Sequence, residues 1–278
     1  MRERPKPAKI SAVISDVDGT LVTQNKVLTP RAIAAVGKLK AAGIAFAITS
    51  ARPPRGMLML VGPLNLTTPM AGFNGGVIVR PDLSVVEQYL LSPDTARQAI
   101  DFMVANGAQP WVFDAERWMI RDPNAPYVDH ERLTIGFSPT IVADFDAKPQ
   151  GIGKIVGASD DFDRLANSEI ALRDLLASRA FVARSQKYYL DVTHPDANKG
   201  EVVKSLSRIL AVPQSEIATI GDGANDVAMF AQSAFCIAMG NASPEVQSHA
   251  DVVTDSNEED GFAKAIERYL LSGAESGA

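Results

Sequence analysis

The feature that most restricts this chain is an alternation of apolar strands and helices that occurs near both of its ends. "AKISAVIS", "IAFAIT" and "TPMAGFNGGVIV" lie in the N-terminal part, and "EIATIG", "AFCIAM" and "DVVT" lie in the C-terminal part. Strands that are apolar throughout are covered on both faces, as in a parallel sheet wrapped by helices. The intervening segments supply the helices. In "LTPRAIAAVGKLKAAG", Thr29 suits the N-cap, Pro30 the first turn and Gly43 the position past the end. "NKGEVVKSLSRILA", "ANDVAMFAQS", "SPEVQSHA" and "EEDGFAKAIERYLLS" read as helices in the second part.

Between these parts the pattern changes, starting near Arg80-Pro81-Asp82. "SVVEQYLL" reads as a strand and "SPDTARQAIDFMVANG" as a helix capped by Ser92, Pro93 and Gly107. "PWVFDAERWMIRD" and "AFVARSQKYYLDVTH" read as hairpins. "GKIVGAS" and "DDFDRLANSEIALRDLLAS" read as a strand and a helix. A block rich in hairpins predicts an antiparallel sheet with helices to one side. The expected fold class is therefore α/β. A Rossmann-like parallel sheet core spans residues 1–80 and 194–278, interrupted by an inserted α+β domain over 81–193. That insertion, roughly 110 residues, has an ordinary domain size. No internal repeat or low-complexity segment is evident, and the last residues, "SGAESGA", are expected to fray.

With 278 residues, 46% of them hydrophobic and 22% charged, the chain can bury a sizeable core. The net charge of -6 provides no basic excess for nucleic acid. The one cysteine, Cys236, has no internal partner, which suits a reducing, cytoplasmic setting and the role of a small buried apolar residue. The apolar stretch after the basic "MRERPKPAK" ends at Asp16, too short for a signal peptide, and no run is long enough to span a membrane. The glycosylation sequons at Asn65 and Asn241 are read as chance matches.

The chemistry gathers where strands end. In "VISDVDGTLV" an apolar strand runs into Asp16 and Asp18, and residues two apart in an extended segment point the same way. Open α/β sheets bind ligands at the carboxyl ends of their strands. Two adjacent carboxylates repel, and a hard cation such as Mg2+ offsets that repulsion with oxygen ligands. A calcium loop is excluded, because its twelfth position would be Val27. Asp222 follows a second apolar strand in "TIGDGANDVAM", with Asn225 and Asp226 opening the next helix, where either alone could be a cap. Lys199 falls on the first turn of a helix, where the dipole gives it no reason to be but a phosphate would. Thr49 and Ser50 close another strand, with Arg52 nearby, and a hydroxyl there can hold a phosphoryl oxygen.

Taken in order, "DVDGT", "TSAR", "NKG" and "GDGAND" resemble the motifs of the haloacid dehalogenase superfamily, specifically its Cof-type phosphatases. The resemblance covers the whole chain, and the insertion sits where that family carries a type II cap, here similar to the IIB variety. The resemblance implies a nucleophile at Asp16 and an acid/base at Asp18. It implies phosphate contacts from Thr49, Ser50, Lys199 and Asn225. Mg2+ would be held by the carboxylates of Asp16 and Asp222 and the backbone carbonyl of Asp18, with Asp226 supporting them from behind. Family members commonly have Thr-Gly-Arg where this chain has Thr-Ser-Ala-Arg, so the resemblance fixes no place for Arg52. The implied activity is hydrolysis of a small phosphorylated metabolite, a sugar phosphate, with no nucleic-acid or membrane partner. A phosphomutase or phosphotransferase would use the same aspartyl phosphate, and a non-enzymatic receiver-type domain is a more distant alternative. Within the cap, Arg121, Arg184, Tyr188 and Asp191 are the polar candidates for substrate contact.

Overall fold

The computed structural model describes residues 7–147 and 149–271. The C-terminal "SGAESGA" lies outside the described residues. Two sheets organise the chain. The first strands are β1 (Ala12–Asp16), β2 (Ala45–Thr49), β3 (Met70–Gly72), β4 (Val77–Val79) and β5 (Val85–Gln88). The smaller sheet then uses β6 (Gln109–Phe113), β7 (Trp118–Ile120), β8 (Thr140–Ile141), β9 (Lys154–Ala158), β10 (Phe181–Gln186) and β11 (Tyr189–Thr193). The chain returns with β12 (Ile217–Gly221), β13 (Phe235–Ala238) and β14 (Val252–Val253).

The larger sheet has the order β14-β13-β12-β1-β2-β3-β4-β5. Its strands are parallel from β14 to β3, and β4 and β5 add an antiparallel edge. β1 is buried along its whole length. Val13 packs with Leu39 and Phe262 on one face, and Ile14 packs with Leu206 and Phe230 on the other, as expected of a strand covered on both sides. The helix Pro30–Ala41 begins at Thr29, whose hydroxyl accepts the Ala32 N–H at 3.1 Å. The helix Lys199–Leu210 begins at Asn198, whose side chain accepts the Glu201 N–H at 3.0 Å.

The smaller sheet has the order β10-β11-β9-β6-β7-β8 and is antiparallel except between β7 and β8. Helices Pro93–Ala105 and Phe162–Leu176 cover one face, against Ile155, Leu190 and Val192. The other face presents Trp111, Phe113, Trp118 and Tyr189, which join one apolar cluster with Met57 and Phe73 from loops of the larger sheet.

Three local features differ from the pattern read in sequence. The segment "SVVEQYLL", grouped there with the inserted block, contributes β5 to the larger sheet, because the tight turn after β4 keeps the hairpin together. A helix over Val128–Ile135 was not foreseen. Its weakly periodic, polar sequence gives little signal. The final helix starts late, at Gly261, after Asp260 adopts a left-handed φ of 57°. Gly261 lies so close to Asp255 that a Cβ would stand 1.9 Å from its carbonyl oxygen. Among the described residues no helix is long and apolar enough to cross a membrane.

Candidate active site

Sheet order assembles the site. β12, β1 and β2 are neighbours, so their carboxyl ends deliver Asp222, Asp16 and Thr49 side by side, with Asp16 and Thr49 directly paired in register. Two glycines make the approach possible. Gly19 turns the chain after β1 at φ 81°, and a Cβ on it would lie 2.3 Å from the Asp222 carboxylate. A Cβ on Gly221 would lie 2.4 Å from Cγ of Asp226.

Lys199 is fully buried at the centre. Its Nζ donates to Asp16 Oδ1 at 2.5 Å and to Asp226 Oδ1 at 2.6 Å. The other oxygen of Asp226 accepts the backbone N–H groups of Asp222 and Gly223, each at 2.8 Å. Asp226 is thus committed to holding the lysine and the loop. Asp222 accepts from the Thr20 hydroxyl at 2.9 Å and from Asn241 Nδ2 at 3.2 Å. The side chain of Asp18 takes a different direction. It receives Arg52 as a two-pronged fork, from Nε and Nη2 at 2.7 Å each, and Lys26 at 2.7 Å.

These surroundings give the acids different proton affinities. Burial raises the pKa of Asp16 well above the ordinary carboxylate range; Lys199 offsets this only in part, and the charges of Asp226 and Asp222 raise it further. Burial and the charge of Asp226 push Asp222 up to about 6. Burial also acts against Asp18, but the Arg52 fork and Lys26 outweigh it and hold that carboxyl below its usual value. Burial opposes the charge on Lys199, and Asp16 and Asp226 overcome it, so the lysine stays protonated.

Carboxylate oxygens of Asp16, Asp222 and Asp226 lie within 4.8 Å of one another. Three acids against one lysine leave an excess of negative charge among hard oxygen donors, which fits Mg2+. The Thr49 hydroxyl is buried without a hydrogen-bond partner among the described residues. A profile described as haloacid dehalogenase-like hydrolase matches residues 13–266.

The chain belongs to the haloacid dehalogenase-like hydrolases.

Among similar proteins, a 5-amino-6-(5-phospho-D-ribitylamino)uracil phosphatase of Bacillus subtilis is 25% identical to this hydrolase over 263 residues. The match covers 94% of this chain and 96% of that one. A haloacid dehalogenase-like hydrolase of Bacteroides thetaiotaomicron superposes with a TM-score of 0.87 at 26% identity, over 94% of this chain and 99% of that one. A subclass IIB sugar phosphatase of the superfamily shares the fold at a TM-score of 0.81 and 22% identity, over 93% and 98% of the two chains. With relatives named as phosphatases over nearly its whole length, this hydrolase is a phosphatase of that family, and it shares the family's fold.

The remaining residues singled out in sequence are dispersed or differently engaged in the hydrolase. Ser50 Oγ accepts the Arg52 N–H at 3.1 Å, and Asn225 donates to Asn74 Oδ1 at 3.0 Å. In the smaller sheet, Arg184 pairs with Glu169 at 2.9 Å, Arg121 lies over the Phe145 ring, and Tyr188 stacks on Tyr127 at 4.2 Å. Tyr188 also packs edge-on against Tyr189 at 4.6 Å, and Asp191 lies buried on the aromatic face, where it pairs with Lys154 at 2.6 Å. Sequence reasoning missed Lys26, the pairing of Arg52 with Asp18, Asn74 and Asn241. Asn74 sits in the glycine-rich "GFNGG" turn with a left-handed φ of 58°, the one local signal available for any of them.

Proposed function

We propose that this hydrolase is a Mg2+-dependent phosphomonoesterase acting on a small phosphorylated metabolite, a sugar phosphate, through an aspartyl phosphate on Asp16. The observation that carries this reading is the buried Asp16 held by Lys199, beside the unpartnered Thr49 hydroxyl and the carboxylates of Asp222 and Asp226. A carboxylate oxygen of Asp16 attacks phosphorus, and the bond to the leaving oxygen breaks. Asp18 gives that oxygen a proton, then takes one from the water that attacks the phosphorus of the aspartyl phosphate. The Asp16 carboxylate and inorganic phosphate are released. Held by Arg52 and Lys26, Asp18 is in the ionised state that accepts a proton. Donating one requires it to protonate and loosen from the fork.

Thr49, Ser50, Asn225 and Lys199 position the phosphate, with Lys199 also fixing the attacking carboxylate. Asp16, Asp222 and the backbone carbonyl of Asp18 would hold the metal, supported by Asp226. When bound, Mg2+ screens the repulsion between carboxylate and phosphate and steadies the charge that moves during transfer. The inserted segment, from the end of β5 to residue 193, acts as the cap that shields the site and selects the substrate. The names of the relatives, a sugar phosphatase and a phosphatase of a phospho-D-ribitylamino compound, support a polyol or sugar phosphate. The buried thiol of Cys236 suits a cytoplasmic setting. Phosphate release across a panel of phosphorylated metabolites, with and without Mg2+, tests the reading. Release from sugar phosphates only with metal is expected, and metal-independent release or none from any phosphomonoester contradicts it.

A further inference from the structure

Asn241 opens the sequon "NAS", but its surroundings give it a different task. It lies in the turn that follows β13, closed by the Ala242 N–H donating to the Met239 carbonyl at 3.1 Å. The Met239 N–H donates to the Gly221 carbonyl at 3.0 Å, which sets the turn beside the end of β12, next to Asp222. From there Asn241 Nδ2 donates to the Gly19 carbonyl at 2.9 Å and to Asp222 Oδ2 at 3.2 Å. One amide therefore spans two strand ends. It holds the acid that follows β12 and the turn that begins just past Asp18.

This amide is itself locked from behind. Its Oδ1 accepts the Asn257 N–H at 3.0 Å, and because that backbone group can only donate, Nδ2 is the end that faces Asp222. Asn257 is buried, and its own side chain donates to the Val22 carbonyl at 3.0 Å, which ties it to the loop after β1. The turn is clamped as well. Gln247 Nε2 reaches the carbonyls of Met239, Gly240 and Ala242 at 3.4, 3.3 and 3.0 Å, and the Gly240 N–H donates to the Asp255 carbonyl at 3.0 Å. An asparagine that only filled a turn would need none of these contacts.

Asp222 receives another donor on its other oxygen, the Thr20 hydroxyl to Oδ1 at 2.9 Å. Donors on both oxygens fix the rotation of the carboxylate, and each oxygen keeps a lone pair for a cation. Groups that hydrogen-bond a metal-binding side chain orient it, and losing one typically costs about 10–100-fold in metal affinity. We propose that Asn241 is a positioning residue for the cation, fixing the Asp222 carboxylate against the Gly19 turn. Mg2+ demands near-ideal octahedral placement of its oxygens, whereas Ca2+ accepts looser sets. The amide is neutral, so its contribution is selectivity for the smaller ion rather than charge. The proposal rests on the reading of Asp222 as a metal-binding acid of the phosphatase.

Calorimetric titration of the metal-free wild-type, Asn241→Ala and Asn241→Ser proteins with Mg2+ and with Ca2+, at neutral pH, tests this. Serine suits a turn as asparagine does, so the second variant keeps the local structure while its shorter side chain loses the reach to Asp222. In both variants the Kd for Mg2+ should rise at least about tenfold, and the Kd for Ca2+ should stay within about threefold. A purely structural brace predicts a lower melting temperature without metal and equal losses for the two ions. The Mg2+ concentration for half-maximal release of phosphate from an aryl phosphate should rise by the same factor as the Kd. A Kd for Mg2+ within about threefold of wild type in both variants, or equal weakening of the two ions, would overturn the proposal. So would a wild-type protein that binds no Mg2+ at millimolar concentration. If the titrations behave as expected while no ester releases phosphate, the positioning role stands and the phosphatase reading fails. If the wild-type protein hydrolyses esters with Mg2+ and both variants bind the ion as it does, the reverse holds.

Discussion

Lys199 is the residue on which the site's electrostatics depends. It is a buried cation between Asp16 and Asp226, and removing it leaves several carboxylates close together without compensation. Lys199→Met should destabilise the protein by about 3–5 kcal/mol, the range for breaking a buried pair from one side. Denaturant melts in the presence of a chelator check this, and an unchanged midpoint would refute it. Added Mg2+ should restore part of the loss. A second expectation concerns Arg52. Because the fork depresses the pKa of Asp18, this proposed base stays ionised to low pH. Arg52→Gln should let that pKa rise toward its ordinary value, so the acidic limb of the kcat profile moves to higher pH. A limb that stays in place would show that Arg52 does not tune Asp18. At this scale the sequence was uneven. The spacing of Asp16 and Asp18 on one extended segment is visible in the letters. The partner of Asp18 is not, because Arg52 reaches it from a loop more than thirty positions away and nothing in "TSARPP" says which acid it meets.

Strand ends and tight turns set the positions of these groups. Gly19 and Gly221 are sites where backbone and carboxylate approach too closely for a side chain. Gly221→Ala should push Asp226 off its two N–H donors and away from Lys199. A loss of about 1–3 kcal/mol is expected, typical of forcing a methyl into a packed site. Thermal melts would also show a smaller Mg2+-induced rise than in the parent, and a full-sized rise would contradict the account. The parallel strands were legible because each is a short apolar run with helix caps on either side. β5 was harder to place, since its half-exposed sequence fits either sheet and only the turn after β4 decides. The late start of the final helix was not legible either. It depends on how closely Gly261 meets the chain at Asp255, a tertiary contact that helical periodicity does not encode.

For the whole molecule, metal and protons compete for the same acids. The folded-state pKa of Asp222 is about 6, against a reference of 3.8, and Asp16 is shifted in the same direction. For a raised carboxyl, the protonated folded form is favoured, so metal-free stability from Asp222 falls as pH rises from roughly 4 through 6, and that from Asp16 likewise falls with rising pH. Asp18 works oppositely, and its contribution is lost as pH falls through its depressed value. Mg2+ should therefore stabilise little at about pH 5 and, at a hundredfold excess over its Kd, by about 2.7 kcal/mol at neutral pH. Melts with and without metal at both pH values check this, and an increment that shrinks as pH rises would refute it. The interrupted α/β pattern and the four motifs were readable because strand-end chemistry is local. The aromatic face of the smaller sheet was not, since it becomes a surface only when β6, β7 and β11 come together. The central claim is that one acid takes the phosphoryl group and the other moves protons. Intact-protein mass spectrometry after rapid mixing with an aryl phosphate and Mg2+ tests it most directly. Loss of a general acid/base slows turnover by about 10²–10⁴-fold, and a good leaving group needs little protonation, so the first step outlasts the second. The account predicts a phosphorylated species that accumulates in Asp18→Asn and never appears in Asp16→Asn. A phosphorylated Asp16→Asn protein would contradict it.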